Sequence, residues 1–334
     1  MIEPSHASAG SHERYLGIDV GGTTIKYGLV TEDGKILHQQ SVATTDFSGP
    51  KSAVQYGLEF ARLTEGNLNH LAGVGLAVPG VLDTQTWSLK EVVNLPHWID
   101  RPLLEIVQQE TNVPSAVIND ANAAALAEHK HRQLNTQTLA LVTLGTGIGC
   151  GLAIGEQDLS GDHGCAGELG HVTVDSSHDA SRCNCGKRGH LEAYAGAPAV
   201  VARAINAFTP WERETLPLSL RQPKIGTREI GVAAEEGFEP ARQIILETAK
   251  YLGVAIGMMG QIIDPSVVLL GGAMTFGGNS RQIGRDFLSS IRQSVRESTL
   301  KQVGENLTIE YASLGNTAGI AGAAQAAQHK GREV

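Results

Sequence analysis

The run Asp19-Val20-Gly21-Gly22-Thr23-Thr24 stands directly behind the apolar residues Tyr15-Leu16-Gly17-Ile18. A strand that ends in an acid and opens into glycines suits phosphate. The glycines let backbone N–H groups approach phosphate oxygens, and the threonines add hydroxyl donors. Asp19, at the strand end, can hold a metal-bound water beside those phosphates. The next residues, Ile25-Lys26-Tyr27-Gly28-Leu29-Val30, read as a second strand and not a helix. The element is then a hairpin around a phosphate, distinct from a strand-to-helix P-loop and from a dinucleotide fold. An ordinary glycine hairpin turn is the plainer reading of the same residues.

Two further glycine turns end strands, at Gly145-Thr146-Gly147-Ile148-Gly149 and at Gly271-Gly272. One nucleotide could use all three turns. The first two would grip phosphates, with Thr143 in the strand ahead of the second turn. The third, with Ala273-Met274, would lie against adenosine. No register of residues 145–151 fits G-x-G-x-x-G, and no Gly-Lys pair is followed by Ser or Thr, so a Walker A loop is excluded. Asn119-Asp120-Ala121-Asn122 follows another strand and opens a helix. Asp120 can cap that helix. It can also act as general base, accepting the proton of a sugar hydroxyl as that oxygen attacks phosphorus.

His171, Cys183, Cys185 and His190 form a metal-like pattern. Eleven residues separate His171 from Cys183, and Gly186 and Gly189 permit a sharp knuckle before His190. Four such ligands suit tetrahedral Zn²⁺ and leave no open position, which makes the metal structural. A free-thiol loop is the alternative. Cys150 and Cys165 read as plain thiols. Glu168 and Glu192 flank the knuckle, where two carboxylates can accept hydrogen bonds from vicinal sugar hydroxyls. Surface or capping carboxylates are the plainer reading.

These residues need elements to hold them. Strands are expected near 15–19, 25–31, 35–41, 72–78 and 115–119, and helices near 50–66, 102–111 and 120–133. A second series begins with the buried strand 139–144, its glycine turn and the strand 150–154, repeating the opening plan. Two such halves imply a duplicated α/β architecture with a cleft between them. Residues 209–231 carry three prolines and read as irregular. Pro240 to Ile263 reads as a long helix, stopped by Asp264-Pro265, with Gly253, Gly257 and Gly260 on one face against another helix. Gly319 to Ala324 is a small-residue helix suited to tight packing. The assignment is a tail over 1–13, a first domain over 14–134 completed by the helix at 317–334, and a second over 135–316 with its zinc loop at 171–190.

Composition agrees with a globular protein. Of the 334 residues, 41% are hydrophobic and 18% charged, and the net charge is −9. A broad nucleic-acid surface needs a basic stripe and is not expected. No apolar run approaches the ~20 residues of a membrane span, and residues 1–14 lack a hydrophobic signal core. Four cysteines in a chain this long do not make a disulfide framework, which points to the reducing cytoplasm.

Together the motifs resemble the ROK family of sugar kinases and related repressors. They are Asp19–Thr24, Val74–Gly80, Asn119–Asn122, Leu144–Gly149, Glu168–His171, Cys183–Glu192 and Gly271-Gly272. The resemblance runs from about Tyr15 to Ala327. It implies the two-domain actin-like ATPase fold, of ribonuclease H-like type. It also implies Mg-ATP as donor and a hexose 6-hydroxyl as acceptor, most of all in a glucokinase, with an N-acetylhexosamine kinase as the alternative. By the same resemblance Asp120 is the catalytic base. Asn119, Glu168, His171 and Glu192 contact the sugar, with Gly80 and Asn94 beside them, and His171 also binds zinc. The family's zinc loop ends in a third cysteine where this chain has His190, so a Cys2His2 site is expected. The family's repressors carry a helix-turn-helix domain ahead of the first phosphate motif. Only 18 residues precede Asp19 here, which favours the kinases. A homodimer or homotetramer is expected.

Overall fold

The computed structural model describes residues 13–92, 95–209, 211 and 213–332. The expected tail lies outside the described residues, residue 13 excepted, and so does Asn94. The chain divides into two units. The first holds the residues up to Gln133, Asp158–Ala166, and the end of the chain from Asn316. The second holds Leu134–Gln157 and Gly167–Gly315. The segment Asp158–Ala166, expected in the second domain, therefore packs with the first.

The first unit opens with β1 (Arg14–Val20), β2 (Thr24–Thr31), β3 (Ile36–Ala43), α1 (Pro50–Glu65) and β4 (Leu71–Val78). It continues with β5 (Val81–Asp83), β6 (Ser88–Glu91), α2 (Leu103–Glu110), β7 (Ser115–Asn119) and α3 (Asp120–His131). The sheet order is β3-β2-β1-β4-β7. The first three strands are antiparallel, while β1, β4 and β7 run parallel. Parallel strands are buried on both faces, and β1 shows this. Leu16, Ile18 and Val20 join the larger core with Val54, Leu58 and Leu103, whereas Tyr15 packs with Ile320 and Ala324 of the C-terminal helix, Ala318–Arg332.

That helix lies down on the sheet because glycines face it. A Cβ at Gly75 would stand 1.7 Å from the Ala323 carbonyl oxygen, and one at Gly17 would stand 2.1 Å from that of Ile320. On the helix's own side, a Cβ at Gly322 would stand 1.7 Å from the Ala123 carbonyl of α3. The small-residue pattern thus has its reason: backbone meets backbone on both flanks. The contact also seats Asp19, since a Cβ at Gly319 would lie 2.5 Å from its carboxyl carbon.

The second unit repeats the plan. It contains β8 (Thr138–Leu144), β9 (Ile148–Ile154), β10 (Gln157–Asp158), α4 (Glu192–Ala195), α5 (Ala197–Phe208), α6 (Thr227–Glu235) and α7 (Glu239–Ile263). It closes with β11 (Val267–Gly271), α8 (Gln282–Ser298), α9 (Lys301–Asn306) and β12 (Thr308–Tyr311). The sheet order β10-β9-β8-β11-β12 matches the first sheet strand for strand. Helix α7 ends where Asp264 turns left-handed (φ 51°) before Pro265. Its glycine face meets the next two helices: Gly253 faces Ser294 and Gly257 faces Ser298, while Gly260 faces Val303. The stretch 209–231 is less irregular than expected, because α6 begins at Thr227. Among the described residues no helix is long and apolar enough to cross a membrane.

Candidate active site

In the first unit, the turn between β1 and β2 is braced rather than free. The Gly21 N–H donates to the Thr24 carbonyl at 2.9 Å. Thr44, which follows β3, donates its hydroxyl to the Gly21 carbonyl at 2.7 Å and its N–H to the Thr23 carbonyl at 2.9 Å. Gly22 and Thr23 stay exposed at the tip. Register sets Asp19 opposite Lys26, and the Lys26 ammonium donates to the Asp19 carboxylate at 2.9 Å. A lysine alternating with buried Ile25 and Tyr27 reads in sequence as a solvated strand residue, which hid this pair.

Two strands along the same sheet, β7 runs into α3. The cap of α3 is Asn119, not Asp120. The Asn119 side-chain oxygen accepts from the N–H groups of Ala121 (2.9 Å) and Asn122 (3.2 Å). Its amide nitrogen donates to the Gly80 carbonyl at 3.1 Å. Gly80 holds φ 87°, and a Cβ there would meet the Glu91 carbonyl oxygen at 2.1 Å, so only glycine fits this turn. Asn119 is thereby left one free N–H for a ligand.

Asp120 is relieved of capping. Its carboxyl is mostly buried and accepts from the Ala121 N–H at 2.8 Å, and its own backbone N–H also favours the ionised form. Removal from water, and next the negative charge of Asp19, push its pKa up to about 7; the backbone N–H groups and Lys26 oppose this. A carboxyl near neutrality is poised to take a proton at physiological pH. Asn122 is 3% exposed and donates to Asp158 (3.3 Å) and to Ser160 (3.1 Å), pinning the segment Asp158–Ala166 to the start of α3.

In the second unit the other two glycine turns abut. Gly272 (φ 89°) lies so close to the end of β8 that a Cβ would stand 2.3 Å from the Leu144 carbonyl oxygen. The Met274 N–H donates to that same carbonyl at 3.0 Å. The tip of the β8–β9 turn is tight, with the Gly145 N–H donating to the Gly147 carbonyl at 3.0 Å, and Thr146 is exposed. Glu192, the first residue of α4, reaches this turn. Its Oε2 accepts from the Ile148 N–H at 3.0 Å, and a Cβ at Gly147 would stand 2.6 Å from that oxygen.

The metal-like residues also converge. One ligand atom from each of His171, Cys183, Cys185 and His190 lies within 4.8 Å of all the others. His171 Nδ1 is 3.8 Å from Cys183 Sγ, and His190 Nδ1 is 3.2 Å from Cys185 Sγ. Burial, and then the nearby His171 ring, lower the His190 pKa, which favours the neutral imidazole that binds metal. Two thiols and two imidazoles match the donor set and spacing of a closed zinc site. The His171 ring points its other nitrogen, Nε2, toward Glu168 Oε2 at 3.8 Å. One ring can therefore serve the metal with Nδ1 and a sugar with Nε2.

The ROK family profile matches residues 15–330, nearly the whole chain. The chain belongs to the ROK family. A glucokinase from Halalkalibacterium halodurans is 33% identical over 315 residues, covering 92% of this chain and 93% of that protein. An N-acetylmannosamine kinase from Escherichia coli is 30% identical over 259 residues, covering 78% and 82%. The crystal structure of a ROK glucokinase from Streptomyces griseus, in complex with glucose and AMPPNP, superimposes with a TM-score of 0.73. It shows 29% identity and covers 95% of this chain and 99% of that one. The matched pair of sheets is the actin-like ATPase fold of these ROK kinases.

Within this ROK chain the expected residues divide between the two units. Asp19, Gly21, Gly22, Thr23, Thr24, Gly80, Asn119 and Asp120 share the first unit. Thr143, Gly145, Thr146, Gly147, Glu168, His171, Glu192, Gly271 and Gly272 share the second, with the metal cluster. Lys26 and Thr44 carry no signal in the sequence, because both contacts depend on strand register.

Proposed function

We propose that this ATP-dependent sugar kinase transfers the γ-phosphoryl group of ATP to the 6-hydroxyl of a hexose, with glucose as the preferred acceptor. The observation that carries the reading is Asp120: a carboxyl at a strand end, free of capping, with its pKa raised to about 7. Asp120 takes the proton of the 6-hydroxyl as that oxygen bonds to the γ-phosphorus. The bond from the γ-phosphorus to the β,γ-bridging oxygen breaks, and ADP leaves. The residues assigned to the sugar are Asn119, Gly80, Glu168, His171 and Glu192. The turns at 21–24 and 145–147 hold the phosphates, and Gly271-Gly272 lies against adenosine. Mg²⁺, when bound with ATP, neutralises phosphate charge; Asp19 would hold one of its waters. His171, Cys183, Cys185 and His190 would hold a structural Zn²⁺. The glucokinase likeness supports glucose, and the likeness to an N-acetylmannosamine kinase supports a second reading. A coupled ADP-release assay over glucose, mannose, N-acetylglucosamine and N-acetylmannosamine should give the highest kcat/KM with glucose. A maximum on an N-acetylated sugar would move the assignment to that sugar, and release with none of them would end the kinase reading.

The phosphate role has its own test. Gly145 has open space where its Cβ would be, with nothing within 4 Å. Gly145→Val should therefore fold and fill the space a phosphate needs. Mg-ATP should raise the Tm of the wild type by binding only the native state. The variant should lose that shift and keep protection by glucose. Gly147→Val is the poorer probe, since its side chain would strike Glu192. An undiminished ATP shift in Gly145→Val would remove the turn from the nucleotide site.

A further inference from the structure

Glu192 touches more than a sugar could explain. The residue is wedged between two glycines. On one side a Cβ at Gly147 would lie 2.6 Å from Oε2. On the other, a Cβ at Gly196 would lie 3.1 Å from Glu192 Cγ and 3.3 Å from the Thr146 carbonyl oxygen. The start of α5 is tied to the same turn, because the Ala197 N–H donates to the Gly145 carbonyl at 2.9 Å. The carboxylate therefore sits inside the support of the 145–148 turn, with one oxygen on the Ile148 N–H. Its other oxygen makes no hydrogen bond to the described residues.

We infer that Glu192 is a positioning residue that links the two substrates: its carboxylate opposes phosphate at the 145–148 turn until a sugar hydroxyl engages its free oxygen. A carboxylate a few ångströms from a phosphate site repels the phosphate, and Glu192 is half-buried, where screening by water is weak. It also takes the Ile148 N–H, a donor at the edge of the phosphate turn. A hexose hydroxyl that donates to the free oxygen spreads and compensates that charge. It also fixes the side chain against Gly147 and Gly196. Hexose binding then raises affinity for ATP, and by reciprocity ATP raises affinity for hexose by the same factor. The sequence of events this favours is useful to a kinase, since ATP held without an acceptor is exposed to water.

The inference rests on the proposed assignments of Glu192 to the sugar and of the 145–148 turn to phosphate. The test is calorimetric titration of the full chain with Mg²⁺ and a non-hydrolysable ATP analogue, with and without saturating glucose, and again with N-acetylmannosamine. In the wild type the preferred sugar should tighten analogue binding by about fivefold or more. Glu192→Gln is isosteric and keeps an oxygen for the Ile148 N–H but carries no charge. It should bind the analogue without sugar more tightly than the wild type does, and sugar should add little. A residue with only a structural role would lose affinity on substitution, so this gain is the discriminating readout. Analogue affinity in Glu192→Gln equal to or below that of the sugar-free wild type would overturn the proposal. So would a wild type that binds sugar and analogue independently, which leaves the kinase reading standing. Failure of the wild type to bind either sugar or the analogue would take down both.

Discussion

Asp120→Asn should lower turnover by about 10²-fold or more, the scale of general-base catalysis, while the variant becomes more stable than the wild type at pH 8. Asparagine matches the shape but cannot accept the proton. The cap is untouched because Asn119 supplies it. The gain in stability follows from the direction of the pKa shift. Asp120 is raised from 3.8 to about 7, by desolvation first and by Asp19 second. A raised carboxyl stabilises the fold fully only below its unfolded pKa. That contribution is lost as pH rises through the folded value, which places the loss between about pH 4 and pH 7. Above it the wild type carries a buried charge beside Asp19, a cost of at most about 4 kcal/mol from the pKa difference. The asparagine variant carries none. Its Tm advantage should be largest at pH 8 and shrink at pH 5, and wild-type kcat/KM should rise with pH through about 7. Turnover near the wild-type value would remove Asp120 as the base. A Tm advantage that grew toward low pH would contradict the electrostatic account.

The arrangement is a familiar opposition between activity and stability: a carboxyl that is poorly solvated and near a like charge is costly to hold and useful to react. How far the sequence reveals this depends on the level of structure. The positions of β1, β4, β7 and β8 are readable to within a residue from apolar runs that end near Asp19, Pro79, Asn119 and Gly145, since both faces of these strands are buried. The glycine face of α7 is readable because glycine spaced along a helix has few uses besides close packing. The cap of α3 is off by one residue, for a physical reason. Asn119 and Asp120 are both good caps, and only the last strand residue decides which one stands at the junction. The hairpin of β5 and β6 is invisible, because strands of three and four residues leave no periodicity. The pairing of Lys26 with Asp19, the bracing by Thr44 and the packing of Asp158–Ala166 on the first unit all depend on register or on chain crossing. None leaves a local signal. The reach of Glu192 to the Ile148 N–H spans 44 residues and is equally silent.

Protein purified without added metal should carry about one Zn²⁺ per chain, the stoichiometry of a closed four-ligand site. Cys185→Ser should lose the metal and weaken sugar binding before it affects ATP binding. The reason lies in what the cluster joins. His171 closes the short turn that begins at Leu169, with Glu168 just ahead of it, and His190 stands two residues before Glu192. A metal held by both histidines would fix the spacing of the two carboxylates proposed for the sugar and orient the His171 ring, whose Nε2 faces Glu168. Zinc held by Nδ1 would settle the tautomer and leave Nε2–H as a donor. Without metal the loop keeps a backbone frame: Cys183 N–H to Lys187 O at 2.8 Å, Gly189 N–H to Ser181 O at 2.9 Å, and Leu191 N–H to Val172 O at 2.9 Å. The Tyr194 hydroxyl still bonds to Asp175 at 2.6 Å. The fold should therefore survive chelation while the sugar contacts loosen. Loss of one hydrogen bond to a charged group is worth about 1.5 kcal/mol or more, so KM for the sugar should rise by roughly tenfold. ATP protection in a thermal shift without sugar should change less, because no cluster residue lies in the turns at 21–24, 145–147 or 271–272 and the Ile148 N–H holds Glu192 without the metal. Elemental analysis and paired KM values for sugar and ATP read both halves. A zinc-free enzyme with full activity, or a Cys185→Ser variant with an unchanged sugar KM, would show that His190 has replaced the family's third cysteine at the expense of the metal, and that hydrogen bonds alone order the loop.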